Sequence, residues 1–178
     1  ESAEIIMFER GEYISFANCG LPYYAGGVIK SREALLIQTP EKFSKRFNVD
    51  VRIFNEVTKI DRKKKSVQVK DINKGTIYEE SYDALILSMG AEPFVPPFEG
   101  SQLPCVYTVR TIPDIDKIKE RVDLNQTKTA VVIGGGFIGL EMAENLHKKG
   151  KDVYLIEKMD QLMPSYDKEM AVILKNEV

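Results

Sequence analysis

The stretch TAVVIGGGFIGLEMAENLHKKGKDVYLIEK, residues 129–158, restricts the chain to few folds. Val131, Val132 and Ile133 read as a buried strand, Gly134, Gly136 and Gly139 follow in the order GxGxxG, and a helix then runs to a stop at Gly150. Val153 to Ile156 read as a second strand, which ends at Glu157. Each glycine has its own task. The first makes the tight turn, the second lets the backbone approach a pyrophosphate, and the third lets the helix pack closely on the strand. Phosphate charge then meets the unpaired N–H groups of the helix N-terminus. Glu157, a little over about 20 residues beyond the first glycine, suits an acid that accepts hydrogen bonds from an adenosine ribose. A carboxylate there favours NADH, while Lys158 beside it could help to hold a 2′-phosphate and keeps NADPH open.

A second copy of the strand end stands near the start of the chain. EIIMFER, residues 4–10, matches DVYLIEK, residues 152–158: an acid, four apolar residues, a glutamate and a base. If the second copy closes a dinucleotide-binding unit, so should the first, and its glycine loop is then expected before residue 1. By this reading the chain is a piece of a longer protein that opens inside one such domain and contains the beginning of another. The expected fold class is α/β, with partial Rossmann-like domains and a β-meander between them. The meander is read from alternating runs at 51–60, 66–72 and 76–80, with NKG at 73–75 as a hairpin turn. Ala84 to Leu87 read as a short buried strand, and Gly90 with Pro93, Pro96 and Pro97 as a crossing between domains. SREALLIQTPEKFSKRF, residues 31–47, reads as helix with a break at Pro40.

Composition narrows the function. The 178 residues are 43% hydrophobic, with 25 basic against 27 acidic side chains, and the one basic run, RKKK at 62–65, reads as a solvated turn. That is no footprint for nucleic acid, and neither a membrane span nor a secretory leader is readable, so the protein is expected in the cytoplasm. Two cysteines, no CxxC and a single histidine, His147, leave too few ligands for a zinc or iron–sulfur centre. Cys19, in ISFANCGLPYY (residues 14–24), is then either an inert buried thiol or a nucleophile that works alone. Cys105 matches no motif and reads as an incidental apolar residue; His147 falls in the last turn of the GxGxxG helix, where a positive charge is favourable.

EIIMFER, SFANCGLPYY, YDALILSMGAEP and GGGFIGLEMAE, in this order, resemble the single-cysteine branch of the flavin-dependent pyridine nucleotide disulfide oxidoreductases. The resemblance is closest to coenzyme A disulfide reductases, with NADH oxidases and peroxidases as near relatives. It implies an FAD-binding domain over residues 1–107 and the first part of an NAD(P)H-binding domain over 108–178. Glu9 would bind the FAD adenosine ribose with Arg10 beside the adenine, Val57 would offer backbone groups to the adenine, and Ser88, Gly90 and Arg110 would lie at the flavin cofactor. Gly134, Gly136, Gly139, Glu157 and Lys158 would hold NAD(P)H, with Phe137 covering the flavin face and Glu141 near the nicotinamide. Ile138 is counted with these residues, although helix core is the competing reading for it and for Met142.

The same resemblance makes Cys19, at the start of a helix, the redox-active sulfur. Electrons would pass from NAD(P)H through FAD to Cys19 and on to coenzyme A disulfide or a related persulfide, with Ser15 and Asn18 contacting the substrate. An NADH oxidase or peroxidase that cycles Cys19 through a sulfenic acid is the alternative, and a nucleotide-binding fragment without turnover is a third. NCGLPYY favours the disulfide reductase. Phe47 departs from the pattern, because some members carry a base there for coenzyme A phosphates, whereas Lys45 and Arg46 are only its neighbours. The complete protein is expected to be a homodimer, and these 178 residues alone to be inactive without the first glycine loop.

Overall fold

The computed structural model describes residues 3–177, which divide into two compact units, residues 3–16 with 36–91 and residues 17–35 with 92–177. In the first unit β1 (Ile5–Glu9) pairs in parallel with β4 (Val49–Ile53), from Ile5 opposite Val49 to Glu9 opposite Ile53. Two short strands, β2 (Ser15–Phe16) and β3 (Leu36–Gln38), pair antiparallel. Helix α2 (Pro40–Phe47) begins where Thr39 caps it, its hydroxyl accepting from the Lys42 N–H, and stops at Asn48, whose φ of 53° is left-handed. The expected helix over 31–47 is thus corrected. Proline cannot sit in the interior but suits the first turn, and it keeps the residue before it extended, so Pro40 starts the helix rather than breaking it. Ahead of it lie a 3₁₀ turn, Arg32–Leu35, and β3.

The meander is β5 (Asn55–Asp61), β6 (Ser66–Asp71) and β7 (Ile77–Ser81), antiparallel in that order. The run expected at 51–60 is two strands in two sheets. Phe54, with φ of 55°, turns the chain between them, and the Asn55 side chain donates to the Ile53 carbonyl across the bend. Both tight turns carry an aspartate in the receiving position. Asp61 Oδ1 accepts from the Lys63 and Lys64 N–H groups, which makes RKKK a turn, and Asp71 Oδ1 accepts from Lys74 N before Gly75 closes the hairpin at φ of 70°. Val67 and Val69 on the central strand form the core of this sheet, and Arg52 spans its margin, bonding Glu80 at 2.6 Å and Asp50 at 2.7 Å.

Residues 84–97 form no regular element, and Ile86 is 86% exposed, so the buried strand expected at Ala84–Leu87 is not formed. Among the described residues no strand pairs with this apolar run, and without a ladder an extended segment has no hydrogen bonds to bury.

In the second unit a 3₁₀ turn, Asn18–Gly20, leads into the five-residue α1 (Leu21–Ala25). Helix α3 (Ile112–Asp123) opens on a full capping box, Thr111 with Asp114, and buries Ile112, Ile115, Ile118 and Val122, an i, i+3, i+6, i+10 stripe. Strands β8 (Thr129–Ile133) and β9 (Asp152–Ile156) pair in parallel around α4 (Phe137–Lys148), the βαβ unit read from the sequence. Gly150 ends α4 as expected, with φ of 80°: its N–H reaches the His147 carbonyl and the Lys151 N–H the Leu146 carbonyl, the paired bonds of a Schellman stop. One expectation needs correction. Val131 and Ile133 are more than half exposed, because α4 covers only one face of this strand pair among the described residues. Helix α5 (Lys168–Glu177) follows. No helix among the described residues is long and apolar enough to cross a membrane.

Candidate functional site

The glycine loop between β8 and α4 divides its tasks as the motif requires. Gly134 has φ of 106°, a region closed to most side chains, and its N–H donates to the Ile156 carbonyl, joining the turn to the end of β9. At Gly139 a Cβ would lie 1.8 Å from the Gly134 carbonyl oxygen, so helix and turn are in contact only because the side chain is absent. At Gly136 a Cβ would meet nothing within 4 Å. This glycine caps α4 without a side-chain bond, and among the described residues the space above it is open. That is the arrangement in which backbone N–H groups at a helix start can approach a pyrophosphate.

Glu157 is tied to the same loop. Its Oε2 accepts from the Gly135 N–H at 2.6 Å and its Oε1 from the Met159 N–H at 2.8 Å. These N–H donors, Met159 first, hold its carboxyl below the usual glutamate value. Gly135 itself lies outside the GxGxxG reading. A Cβ there would stand 2.7 Å from Leu162 Cδ2 and 3.2 Å from Glu157 Oε2, and its carbonyl accepts from the buried Met163 N–H. The only signal for it was that the free position between the first two motif glycines is also glycine. Lys158 follows Glu157 and is exposed.

Phe137 opens α4 with 59% of its surface exposed, and Tyr166 meets it edge-on at 5.7 Å. Ile138 is exposed and Met142 buried, so helix core is right for Met142 and wrong for Ile138. Glu141 is half-buried, and its carbonyl accepts from the Asn145 amide. Asn145, which sequence reasoning missed, is 1% exposed, with no donor to its Oδ1 among the described residues; it packs against Gly26 just past α1, where a Cβ on the glycine would stand 2.8 Å from the Asn145 Cβ.

Cys19 is exposed on the 3₁₀ turn, a free thiol and not a buried one. The turn is held from both sides. Ala17 N donates to the Leu35 carbonyl and Gly20 N to the Ala17 carbonyl, while buried Gly20 leaves no room for a side chain beside Leu35. Pro22 stands in the first turn of α1 and Tyr24 is buried, so the residues after the cysteine build the short helix behind it. Asn18 and Arg110, expected at substrate and at FAD respectively, are brought together: Arg110 Nη1 donates to Asn18 Oδ1 at 3.0 Å.

The remaining expected residues lie in the first unit. Ser15 pairs with Gln38, and Glu9 ends β1 with its Oε1 accepting from the Gly11 N–H at 2.7 Å. Arg10 follows it, and Val57 stands on β5 where the register to β6 shifts. Ser88 and Gly90 lie in the exposed segment before the two units divide, Gly90 with φ of 71°. Phe47 packs on Phe43 at 4.7 Å with the Arg46 guanidinium 5.1 Å over its ring. Cys105, read as an incidental apolar residue, is exposed in a run of turns, and His147 is exposed in the last turn of α4.

A strand, a glycine turn with open space at Gly136, a helix and an acid returning to the turn make a βαβ unit of the dinucleotide-binding kind. The chain belongs to the pyridine nucleotide-disulphide oxidoreductase family, which it matches over residues 1–178. It is 39% identical over 174 residues to an NADH oxidase of Methanocaldococcus jannaschii, covering 97% of this chain and 38% of that protein. It is 35% identical over 178 residues to the coenzyme A disulfide reductase of Staphylococcus haemolyticus, covering 100% of this chain and 40% of the relative. The crystal structure of reduced Bacillus anthracis CoADR-RHD is similar with a TM-score of 0.94 at 51% identity, over 98% of this chain and 31% of that one. The chain thus spans about two fifths of the length of the curated relatives it matches.

Proposed function

We propose that this chain is part of a flavoprotein that passes electrons from NAD(P)H through FAD to Cys19 and on to coenzyme A disulfide or a related persulfide. The observation that carries the reading is the exposed, unpaired Cys19, held on a braced turn in a family named for disulfide reduction. In this reading residues 1–107 belong to the FAD-binding domain and 108–178 to the NAD(P)H-binding domain. Glu9, Arg10, Val57, Ser88, Gly90 and Arg110 hold FAD. The open space at Gly136 suits a pyrophosphate, and Gly134, Gly139, Phe137, Glu141, Glu157 and Lys158 complete the NAD(P)H site, with Ile138 exposed at its edge.

The chemistry at Cys19 is thiol–disulfide exchange. Its thiolate attacks one sulfur of the substrate disulfide, a mixed disulfide forms with Cys19, and the other half leaves as a thiolate that takes a proton from solvent. FAD, when bound, would supply two electrons received from NAD(P)H as a hydride; these would cleave the mixed disulfide, restoring the Cys19 thiolate and releasing the second substrate half as a thiolate that takes a proton from solvent. Asn18, next to Cys19 in sequence, contacts the substrate, and Ser15 is the second substrate-binding residue of this reading.

A second reading has support of its own: the Methanocaldococcus jannaschii relative is named an NADH oxidase, and a lone exposed thiol also suits a sulfenic acid cycle. The full-length protein, assayed with NADH and NADPH against coenzyme A disulfide, oxygen and hydrogen peroxide, separates the two. Cys19→Ser is expected to keep flavin and its reduction by NAD(P)H while losing disulfide turnover, and Cys105→Ser to behave as wild type. Wild-type disulfide turnover in Cys19→Ser would overturn the proposal.

A further inference from the structure

Asn18 immediately precedes Cys19, and its side-chain oxygen accepts from Arg110 at 3.0 Å. A guanidinium carries only donors, so the amide can face it in one sense, oxygen towards Arg110. What remains for anything approaching Cys19 is the Asn18 Nδ2 group with its two N–H donors, which among the described residues meet no acceptor.

Both ends of this bond are anchored. The turn is fixed by the Ala17 and Gly20 backbone bonds and by the tight seat of Gly20 against Leu35. Arg110 directly precedes the capping box of α3, whose Ile112 and Ile115 are fully buried, and Arg32 ties the 3₁₀ turn at Arg32–Leu35 to the same helix through Asp116 at 2.8 Å. The guanidinium and the amide are therefore presented to each other by packed elements rather than by loose loops.

We propose that Arg110, besides its place at FAD, is a positioning residue that fixes Asn18 as a hydrogen-bond donor beside Cys19, using one Nη1 donor of a guanidinium that has five. The site then selects disulfides that carry an amide or carbonyl oxygen a few bonds from the sulfur. This rests on the reading of Cys19 as the reacting thiol and deepens it. The thiol arm of coenzyme A has that chemistry, with an amide close to its sulfur. An unrestrained asparagine could turn either end of its amide to a ligand and would favour acceptors no more than donors; the arginine removes that freedom.

The test uses the full-length protein with Cys19 reduced and two neutral probes: pantethine, which carries amide oxygens near its sulfurs, and diethyl disulfide, which has no acceptor. The rate of mixed-disulfide formation at Cys19 is followed by intact mass for each probe. The ratio of the two rates is expected to fall about five-fold, the value of one neutral hydrogen bond, in Asn18→Asp and in Arg110→Met. The carboxylate that Asn18→Asp introduces still accepts from Arg110 but has no N–H, so this variant tests the donor even if Arg110→Met folds poorly. Any change in the reactivity of the thiol itself acts on both probes and cancels in the ratio. An unchanged ratio in Asn18→Asp, with normal turnover of coenzyme A disulfide, overturns the assignment while leaving the proposed function intact. The expected ratios without NAD(P)H-driven turnover of coenzyme A disulfide would instead support the assignment and reject that function. No mixed disulfide with either probe overturns both.

Discussion

Gly136 and Gly139 stand three residues apart in one motif, and the structure gives them opposite consequences on substitution. In Gly139→Ala the new Cβ would lie 1.8 Å from the Gly134 carbonyl oxygen, where a carbon–oxygen contact needs about 3.3 Å, so α4 or the turn must shift by about 1.5 Å. Both partners are backbone and neither can rotate away. Overpacking of this kind costs about 3 kcal/mol or more, which lowers the melting temperature by roughly 12–24 °C for a unit of about 100 residues. In Gly136→Ala the Cβ meets nothing within 4 Å and φ is −83°, so the fold loses under about 1 kcal/mol, the scale of a helix-cap change. The methyl group instead stands in the open space through which a pyrophosphate would approach the helix start. Forfeiting even one charge-assisted N–H bond to a pyrophosphate is expected to raise the KM for NAD(P)H about tenfold or more. Calorimetry and steady-state kinetics on the two variants give a double dissociation: Gly139→Ala unstable, Gly136→Ala stable but weak in cofactor binding. A Gly139→Ala protein that melts with the wild type would refute the close-packing argument, and an unchanged KM in Gly136→Ala would remove Gly136 from the site.

Glu157 makes a pH-dependent prediction. Its carboxyl is held below the ordinary glutamate value by the Met159 and Gly135 N–H groups, so the stability it contributes is present above that ordinary value and is lost as pH falls through the lower, folded one. Acid titration of the unfolding temperature should therefore be flatter in Glu157→Gln than in wild type below about pH 4.5, the ordinary value for this group; parallel curves would deny the loop tie. Asp123 joins Lys119 on its own helix, at 2.9 Å, to Lys149 after α4, at 2.8 Å. Because the pairs are only partly buried, Asp123→Asn is expected to cost no more than about 1 kcal/mol, and less at high salt, by thermal unfolding in low and high salt. A larger loss that salt does not change would mean the contact is not an ion pair.

The βαβ unit was legible in the sequence because everything that defines it is local. Strand, turn, helix and acid follow one another, with Gly134 required by the φ of the turn and Gly139 by its contact with the Gly134 carbonyl, while Gly136 leaves open space rather than meeting a backbone demand. The meander turns were legible for the same reason, since an aspartate or a glycine at a turn acts on its own neighbours. Periodicity could not find Phe54, because alternation continues across the bend and only pairing with different partners separates β4 from β5. Nor could it show that Ala84–Leu87 lies exposed, since burial belongs to what covers a segment and not to the segment. Cys19 was open between an inert and a reactive thiol on local grounds, and its exposure is a tertiary fact. The Arg110–Asn18 bond goes furthest beyond the sequence: its ends are 92 residues apart, and they meet only because a capped helix and a 3₁₀ turn pack within one unit. Short-range chemistry wrote the cofactor loop into consecutive residues, whereas the surroundings of the thiol depend on the packing of distant ones.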